Sequence, residues 1–152
     1  MITITREHPV QEDLALLHRR HTDAMHADTP PESIHMLPAS ALAAPGIMFF
    51  VMREEGQAVG MGALKRIEPT HAEIKSMHIL MELRGRGLAR MMLDHLITEA
   101  REAGFARLSL ETGAQASFLA ARGLYLAAGF VECDPFEGYA PDPNSTFMTL
   151  VI

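Results

Sequence analysis

Hydrophobic and polar positions repeat with two different periods along the chain, and these periods predict a succession of strands and helices. Ile2 and Ile4 alternate with threonines, which is typical of a short strand. Leu14 and Leu17 recur at helical spacing and predict a helix over about residues 11–25. The chain therefore opens with a strand followed by a helix.

The rest of the chain consists of short segments separated by turns rich in glycine and proline. Predicted strands cover residues 47–53, 58–67, 72–80, 108–110, 130–133 and 147–152. Predicted helical segments cover residues 39–43, about 87–103 (with Leu88, Met92, Leu96 and Ala100 as the apolar stripe) and 118–128. Long connections cover residues 26–38 and 134–144.

This order predicts one mixed α/β (α+β) domain over residues 1–152. Hairpins pair antiparallel, whereas the unit of strand, loop, helix and strand at the centre forms a right-handed parallel crossover. We therefore expect a central, mostly antiparallel sheet of about six or seven strands with helices on both faces.

The junction between the strand over 72–80 and the long helix carries the sequence RGRGLA, residues 84–89. The first turn of a helix has N–H groups without intrahelical partners, and the helix dipole adds about half a positive charge there. Gly85 and Gly87 allow a ligand to approach the backbone, and Arg84 and Arg86 add charge. The junction therefore predicts a phosphate-binding loop.

Two common phosphate motifs do not fit this loop. A P-loop requires a lysine followed by serine or threonine after its glycines, and residues 84–89 contain neither pair. A dinucleotide fingerprint requires a third glycine where this chain has Arg90, and the hairpins upstream do not match its parallel half-sheet. A nucleotide in the same loop is therefore disfavoured.

Composition narrows the ligand further. The net charge of −6 argues against nucleic-acid binding, whereas the local cluster of Arg84, Arg86 and Arg90 suits a small polyanion.

Cys133 is the only cysteine, so an intrachain disulfide is excluded. With no signal-peptide core and no run of 18 apolar residues, we expect a cytoplasmic protein without membrane association.

Two motifs in this order resemble the GNAT superfamily of N-acetyltransferases. Arg84, Gly87 and Ala89 fill the specified positions of [RQ]-x-x-G-x-[GA], within IKSMHILMELRGRGLARMMLDHL. The later segment LYLAAGF, residues 124–130, is similar to the family motif Y-x-x-x-G-F. The loop HADTPPESIHML and the tail FEGYAPDPNSTFMTL also resemble a bacterial subfamily of small acetyltransferases with unsettled substrates.

The resemblance implies a GNAT-like fold with a splayed parallel strand pair, and an enzyme that transfers an acetyl group from acetyl-CoA to an amine by direct attack on the thioester. The implied coenzyme A contacts are Met77, His78 and Ile79 in the strand and Arg84, Gly85, Arg86, Gly87, Leu88 and Ala89 in the loop. No metal is implied. We expect a small-molecule amine as acceptor, because an acidic groove attracts a cation, and a homodimer is compatible with the resemblance.

The resemblance also implies catalytic roles. Tyr125 matches the motif tyrosine, whose implied role is to donate a proton to the departing thiolate. The general base stays open: Glu73 is the leading candidate, and the alternatives are His71, His78 and Glu111. Ser33 and His35 lie in the loop that covers the acceptor pocket in the family.

The chain departs from the family pattern at one position, and two alternative interpretations are weighed against the resemblance. Phe118 stands where many family members have asparagine, and Ser117 or Gln115 are candidate replacements. His18 and His21 are three residues apart, but a metal site requires a further ligand, so we expect none. The alternative function is a non-catalytic acyl-CoA-binding or regulatory domain. The presence of Tyr125 disfavours this alternative.

Overall fold

The computed structural model describes residues 1–152 and contains seven strands and three α-helices. The strands are β1 (Ile2–Arg6), β2 (Ile47–Glu54), β3 (Gln57–Glu68), β4 (His71–Ile79), β5 (Arg107–Gly113), β6 (Val131–Glu132) and β7 (Ser145–Val151). The helices are α1 (Ala15–Asp28), α2 (Leu88–Glu102) and α3 (Leu119–Ala127). Short 3₁₀ turns cover Glu12–Leu14, Pro31–Ser33, Ala39–Ala43, Met81–Leu83 and Ala116–Phe118.

The seven strands form one sheet in the order β1-β2-β3-β4-β5-β7-β6. Only β4 and β5 are parallel, and all other neighbours are antiparallel. The predicted mixed, mostly antiparallel sheet is therefore confirmed, and the parallel pair is the one on either side of the loop and α2.

The parallel pair separates soon after it begins. Residues 71–73 of β4 pair with residues 107–109 of β5, and beyond them the two strands diverge. β4 stays paired with β3 as far as Ile79, while β5 continues along β7 as far as Gly113. Ser76 has a φ of 56°, unusual for a residue with a side chain, and lies at an irregularity in the β3–β4 pairing, three residues beyond the last residue paired with β5. The result is a wedge between two strands that keep their outer partners.

The helices cover opposite faces of the sheet. Phe49 stacks on His18 of α1, whereas its neighbour Phe50 packs against His95 of α2. Adjacent strand residues point to opposite faces, so α1 and α2 lie on opposite sides. The predicted stripe of α2 is buried, and Gly62 of β3 leaves room for Met92 and Leu96 to pack directly on the sheet. None of the three helices combines the length and apolar character that crossing a membrane requires.

Several element boundaries differ from the predicted ones. α1 continues to Asp28 rather than residue 25, and Thr29 is extended because it precedes Pro30. β5 reaches Gly113 because β7 supplies hydrogen-bond partners that the local pattern does not reveal. β6 has two residues instead of four, since Phe130 leaves the sheet ladder and is buried in the core.

Candidate active site

The loop before α2 adopts the conformation that its glycines permit. Gly85 has a φ of 82° and Gly87 a φ of 80°, both in the left-handed region that disfavours side chains. A Cβ added at either position would meet no atom within 4 Å, so the surface beside the backbone is open. α2 begins at Leu88 without a side-chain cap, so the N–H groups of its first turn have no intrahelical partners beside this surface. The arrangement fits an anionic ligand.

The three arginines near the loop have different environments. Arg86 forms a bidentate pair with Glu54 at 3.2 and 2.5 Å, which raises the pKa of Arg86. Arg90 pairs with Asp94 at 2.9 Å. Arg84 lines the cavity described below, whereas Arg86 does not. The side chain of Arg86 is thus directed to β2, and its backbone N–H is the group that remains near the loop.

A cavity of about 620 Å³ occupies the wedge between β4 and β5. It is lined on one face of the sheet by Met77, Leu88, Leu124 and Tyr125, and on the other by His21, Met25, Thr29 and His78. Of the predicted coenzyme A contacts, the cavity is lined by Met77, His78, Ile79, Arg84, Gly85, Gly87, Leu88 and Ala89. One continuous space therefore connects the phosphate loop to both faces of the sheet.

Tyr125 of α3 is buried at the wedge, with 7 % of its surface exposed. Its hydroxyl donates to the Sδ atom of Met77 at 3.9 Å, and its ring packs edge-on against Phe130. Burial raises the pKa of Tyr125 to about 12, so the phenol stays protonated at neutral pH. The cavity thus contains a permanent hydroxyl donor that already contacts a sulfur atom.

Glu73 of β4 is 2 % exposed and belongs to a polar network. Its Oε2 accepts hydrogen bonds from the Tyr139 hydroxyl at 2.5 Å and from Lys75 Nζ at 3.3 Å. Lys75 also donates to the Tyr139 oxygen at 2.8 Å and to the carbonyl of His35 at 3.1 Å. Burial and the hydrogen bond to Glu73 raise the pKa of Tyr139. Both donors reach Oε2, which leaves Oε1 as the less engaged oxygen.

Tyr139 is a further residue of this network, and the sequence patterns do not indicate it. This residue lies in the connection before β7, where no periodic pattern marks it. Its ring packs against His35, Phe136 and Phe147, and these contacts direct the hydroxyl to Glu73. Its aromatic character within a polar loop was the only signal in the sequence.

The other base candidates are placed differently. His71 bonds to Ser109 Oγ at 2.7 Å, packs near Phe136 and does not line the cavity. His78 lines the cavity with its ring tilted against that of His21, and burial lowers the pKa of His78 to about 4. Glu111 lines the cavity from β5, and burial raises the pKa of its carboxyl. The structure thus brings Glu73, Glu111 and His78 to the cavity and places His71 outside it.

Ser33 and His35 both line the cavity, but each is also engaged by the tail of the chain. The Ser33 hydroxyl donates to Asp142 at 2.5 Å and accepts from Asn144 at 3.3 Å. His35 packs edge-on against Tyr139, with 5.1 Å between ring centroids. The loop after α1 is therefore held in place by residues more than 100 positions later.

Phe118, at the position where many family members have asparagine, contributes apolar surface. Its ring covers Gly113, where an added Cβ would collide with it, and it lines the cavity together with Ser117. Gln115 instead bonds to Asn144 Oδ1 at 3.3 Å. Ser117 is thus the candidate replacement that reaches the cavity.

His18 and Cys133, which the sequence offered as a metal ligand and a nucleophile, lie outside the cavity. His18 bonds to the carbonyl of Pro9 at 2.8 Å, and Cys133 is half-buried with a pKa raised by burial. No group of three or more His, Cys, Asp or Glu residues is arranged to hold a metal ion.

Comparison with known proteins agrees with this geometry. YsnE of Bacillus subtilis strain 168, an uncharacterized N-acetyltransferase, is 46 % identical over 129 residues, which are 85 % of each chain. An IAA acetyltransferase of Azospirillum brasilense is 39 % identical over 149 residues, covering 97 % of this chain and 95 % of the relative.

Solved structures have the same fold. A Klebsiella pneumoniae protein assigned to the acyl-CoA N-acyltransferases superposes with a TM-score of 0.79 at 31 % identity, covering 98 % of this chain and 96 % of that one. A GNAT family acetyltransferase from Elizabethkingia anophelis with acetyl-CoA bound has a TM-score of 0.72 at 16 % identity, covering 99 % and 98 %.

The model of the acetyltransferase (GNAT) family matches residues 13–130. This range contains the loop, the wedge and Tyr125, which are the features that the two sequence motifs predicted. The chain therefore belongs to the GNAT family of acetyltransferases.

Proposed function

We propose that this protein is an acetyl-CoA-dependent N-acetyltransferase that acetylates the amine of a small molecule by direct attack on the thioester. The observation that carries the proposal is the cavity through the wedge, which joins the phosphate loop to the Tyr125 hydroxyl and the Glu73 carboxylate. A long thioester requires such a passage, because its phosphates and its reacting carbon are held far apart.

The residues present fit coenzyme A at the loop end. The backbone N–H groups at residues 84–89 would bind the pyrophosphate, with the Arg84 side chain adding charge and Arg86 contributing only its backbone. Beyond Glu73, the edge of β4 that faces the wedge is not paired with β5. Residues 77–79 can therefore bond with their backbone to the amide groups of the pantetheine arm.

The reaction requires a proton acceptor for the amine and stabilisation of the departing sulfur. The amine nitrogen bonds to the acetyl carbon, the C–S bond breaks, and the nitrogen gives its proton to Glu73, directly or through a water molecule. The less engaged Oε1 of Glu73 is the atom that we assign to this step. Glu111, whose pKa is raised by burial, is the competing base in the same cavity.

Tyr125 acts on the sulfur. A thiol has a pKa of about 8.5, so a phenol with a pKa of about 12 is the weaker acid of the two. The hydroxyl therefore stabilises the developing thiolate by a hydrogen bond and keeps its own proton, and the thiolate of coenzyme A takes a proton from water after it leaves. The existing contact with Met77 Sδ has the same donor and a similar soft acceptor.

Ligand-induced stabilisation tests the cofactor. With acetyl-CoA at 100 times its dissociation constant, the free energy of unfolding should rise by about 2.7 kcal/mol, roughly 5–10 °C in Tm for a chain of this size. ATP and NAD serve as comparison ligands. Stabilisation by ATP or NAD but not by acetyl-CoA would refute the assignment.

Thiol release across a panel of small amines tests the reaction. IAA is tested separately beside the amines, because the Azospirillum relative is named an IAA acetyltransferase. Acetyl-CoA binding without thiol release for any acceptor would favour the non-catalytic acyl-CoA-binding alternative.

A further inference from the structure

The half of the cavity that faces α1 has a lining of its own. His21, Met25 and Thr29 recur at intervals of four residues, so one stripe of α1 and the residue after it face the cavity. Opposite them stands His78 of β4, whose ring lies 5.4 Å from that of His21. Met77 points to Tyr125 on the other side of the sheet, so this half is separate from the place assigned to the thioester sulfur.

Unpartnered polar atoms are frequent among the residues that line this cavity. Six buried side-chain nitrogen or oxygen atoms in the protein have no hydrogen-bond partner, and three of them belong to cavity-lining residues: His21 Nδ1, Thr29 Oγ1 and Ser76 Oγ. His21 is 6 % exposed, so water does not readily satisfy its nitrogen. Buried polar groups are normally hydrogen-bonded, so these unpartnered atoms point to a polar ligand.

The surroundings of His21 carry little net charge. The charged groups near His78 are Arg84, which belongs to the phosphate loop, and Arg20, which pairs with Glu82 at 2.9 Å. Burial lowers the pKa of both His21 and His78 to about 4, so both rings are neutral near pH 7. The charges of Lys75 and Glu73 offset each other, because Lys75 Nζ lies 3.3 Å from Glu73 Oε2. Asp28 lines the cavity but is exposed at its rim. A charged group beside His21 would lose its hydration without a counter-charge, whereas a hydroxyl or amide would gain a hydrogen bond.

We propose that His21 Nδ1, together with His78 and Thr29, binds an uncharged hydrogen-bonding group of the acceptor, such as a hydroxyl or a carboxamide. This inference rests on the proposed acetyltransferase function, since it names the class of acceptor. It also replaces the expectation of an acceptor selected mainly for positive charge: the reacting amine is directed to Glu73, and the rest of the acceptor is recognised through neutral groups. His21 is here a specificity residue and takes no proton.

The test uses four amines with similar spacing between the amine and the second group. 3-Aminopropan-1-ol and β-alaninamide carry a neutral group, β-alanine a carboxylate and 1,3-diaminopropane an ammonium. We expect thiol release to be fastest with the two neutral probes. His21→Phe should raise their KM about tenfold, which is the loss of one hydrogen bond, while kcat changes less than about twofold.

Asparagine and glutamine variants of His21 test whether Nδ1 is the atom that binds the acceptor. Asparagine places its amide near the position of Nδ1, whereas glutamine places its amide near Nε2. His21→Asn should therefore restore the KM of the neutral probes to within about threefold of the original value, and His21→Gln should not. His26→Asn, on the exposed part of α1 outside the cavity, is the matched control and should leave KM unchanged.

Histidine resonances provide a readout that does not require turnover. In protein labelled with ¹³C-histidine, the neutral probes should shift the Cε1–H signals of His21 and His78 and leave that of His26 in place. Shifts without acetyl transfer to any amine would refute the proposed function and leave this binding site standing. Stronger shifts with β-alanine or 1,3-diaminopropane, or no shift with any probe, would overturn the inference.

Discussion

The two ends of the cavity are built in different ways. The end proposed to bind the cofactor, the cofactor end, consists of residues 84–89 and the start of α2, which are contiguous in sequence. The end proposed to bind the acceptor, the acceptor end, is lined by Glu73 and Lys75 of β4 and Ser33 of the early loop, which Tyr139 and Asp142 of the late loop hold in place. Glu73 and Tyr139 are 66 residues apart, and Ser33 and Asp142 are 109 apart. One end is therefore local backbone structure, and the other is a long-range network of side chains.

This difference determines how each end responds to change. The cofactor end depends on the left-handed φ of Gly85 and Gly87 and on unpaired N–H groups, so most of its binding groups are independent of side-chain identity. The acceptor end depends on hydrogen bonds that satisfy one another, and removing one partner leaves a buried polar group unmatched. We expect substitutions at the acceptor end to have the larger effects.

The largest effect is predicted for Glu73→Gln. The amide keeps the size of the side chain but cannot take a proton from the amine, so kcat should fall roughly 1000-fold, within the range typical of a lost general base. Steady-state kinetics with the best acceptor of the panel would measure it. Stabilisation by acetyl-CoA should persist, which shows that the cofactor end is still formed.

Glu111→Gln is the matched control, because it makes the same chemical change in the same cavity. We expect its kcat to fall less than about tenfold, since its carboxyl is on β5 and outside the network of Lys75 and Tyr139. A larger loss for Glu111→Gln than for Glu73→Gln would transfer the base role to Glu111.

The contrast between local backbone structure and long-range side-chain contacts also explains which features the sequence predicts. The sheet, the loop and Tyr125 followed from hydrophobic periods and from motifs, because these features depend on residues close together in the chain. The link from Tyr139 to Glu73, the anchoring of Ser33 by Asp142 and the pairing of Arg86 with Glu54 did not, because each depends on which distant segments meet. The length of β5 was underestimated for the same reason, since its final residues pair with β7.

A smaller effect is predicted where the two ends meet, at Tyr125. Tyr125→Phe removes the donor to the sulfur, so kcat should fall about 100-fold, as when one transition-state hydrogen-bond donor is lost. The dissociation constant of acetyl-CoA should stay within about twofold, because the hydroxyl contacts only a sulfur atom at 3.9 Å and the ring remains packed on Phe130. An unchanged kcat would exclude Tyr125 from the chemical step.

The smallest effects are predicted at the cofactor end, where two neighbouring arginines provide an internal comparison. Arg84→Gln should weaken acetyl-CoA binding about tenfold, the loss expected from one charge-assisted phosphate contact. Arg86→Gln should change it less than about twofold, because that guanidinium is already paired with Glu54 and directed away from the cavity. Titration calorimetry at two salt concentrations would measure both, and the Arg84 effect should shrink at high salt. If Arg86→Gln weakened binding as much as Arg84→Gln, the pair with Glu54 would have to open when the ligand binds, and the cofactor end would depend on side chains more than its backbone geometry indicates.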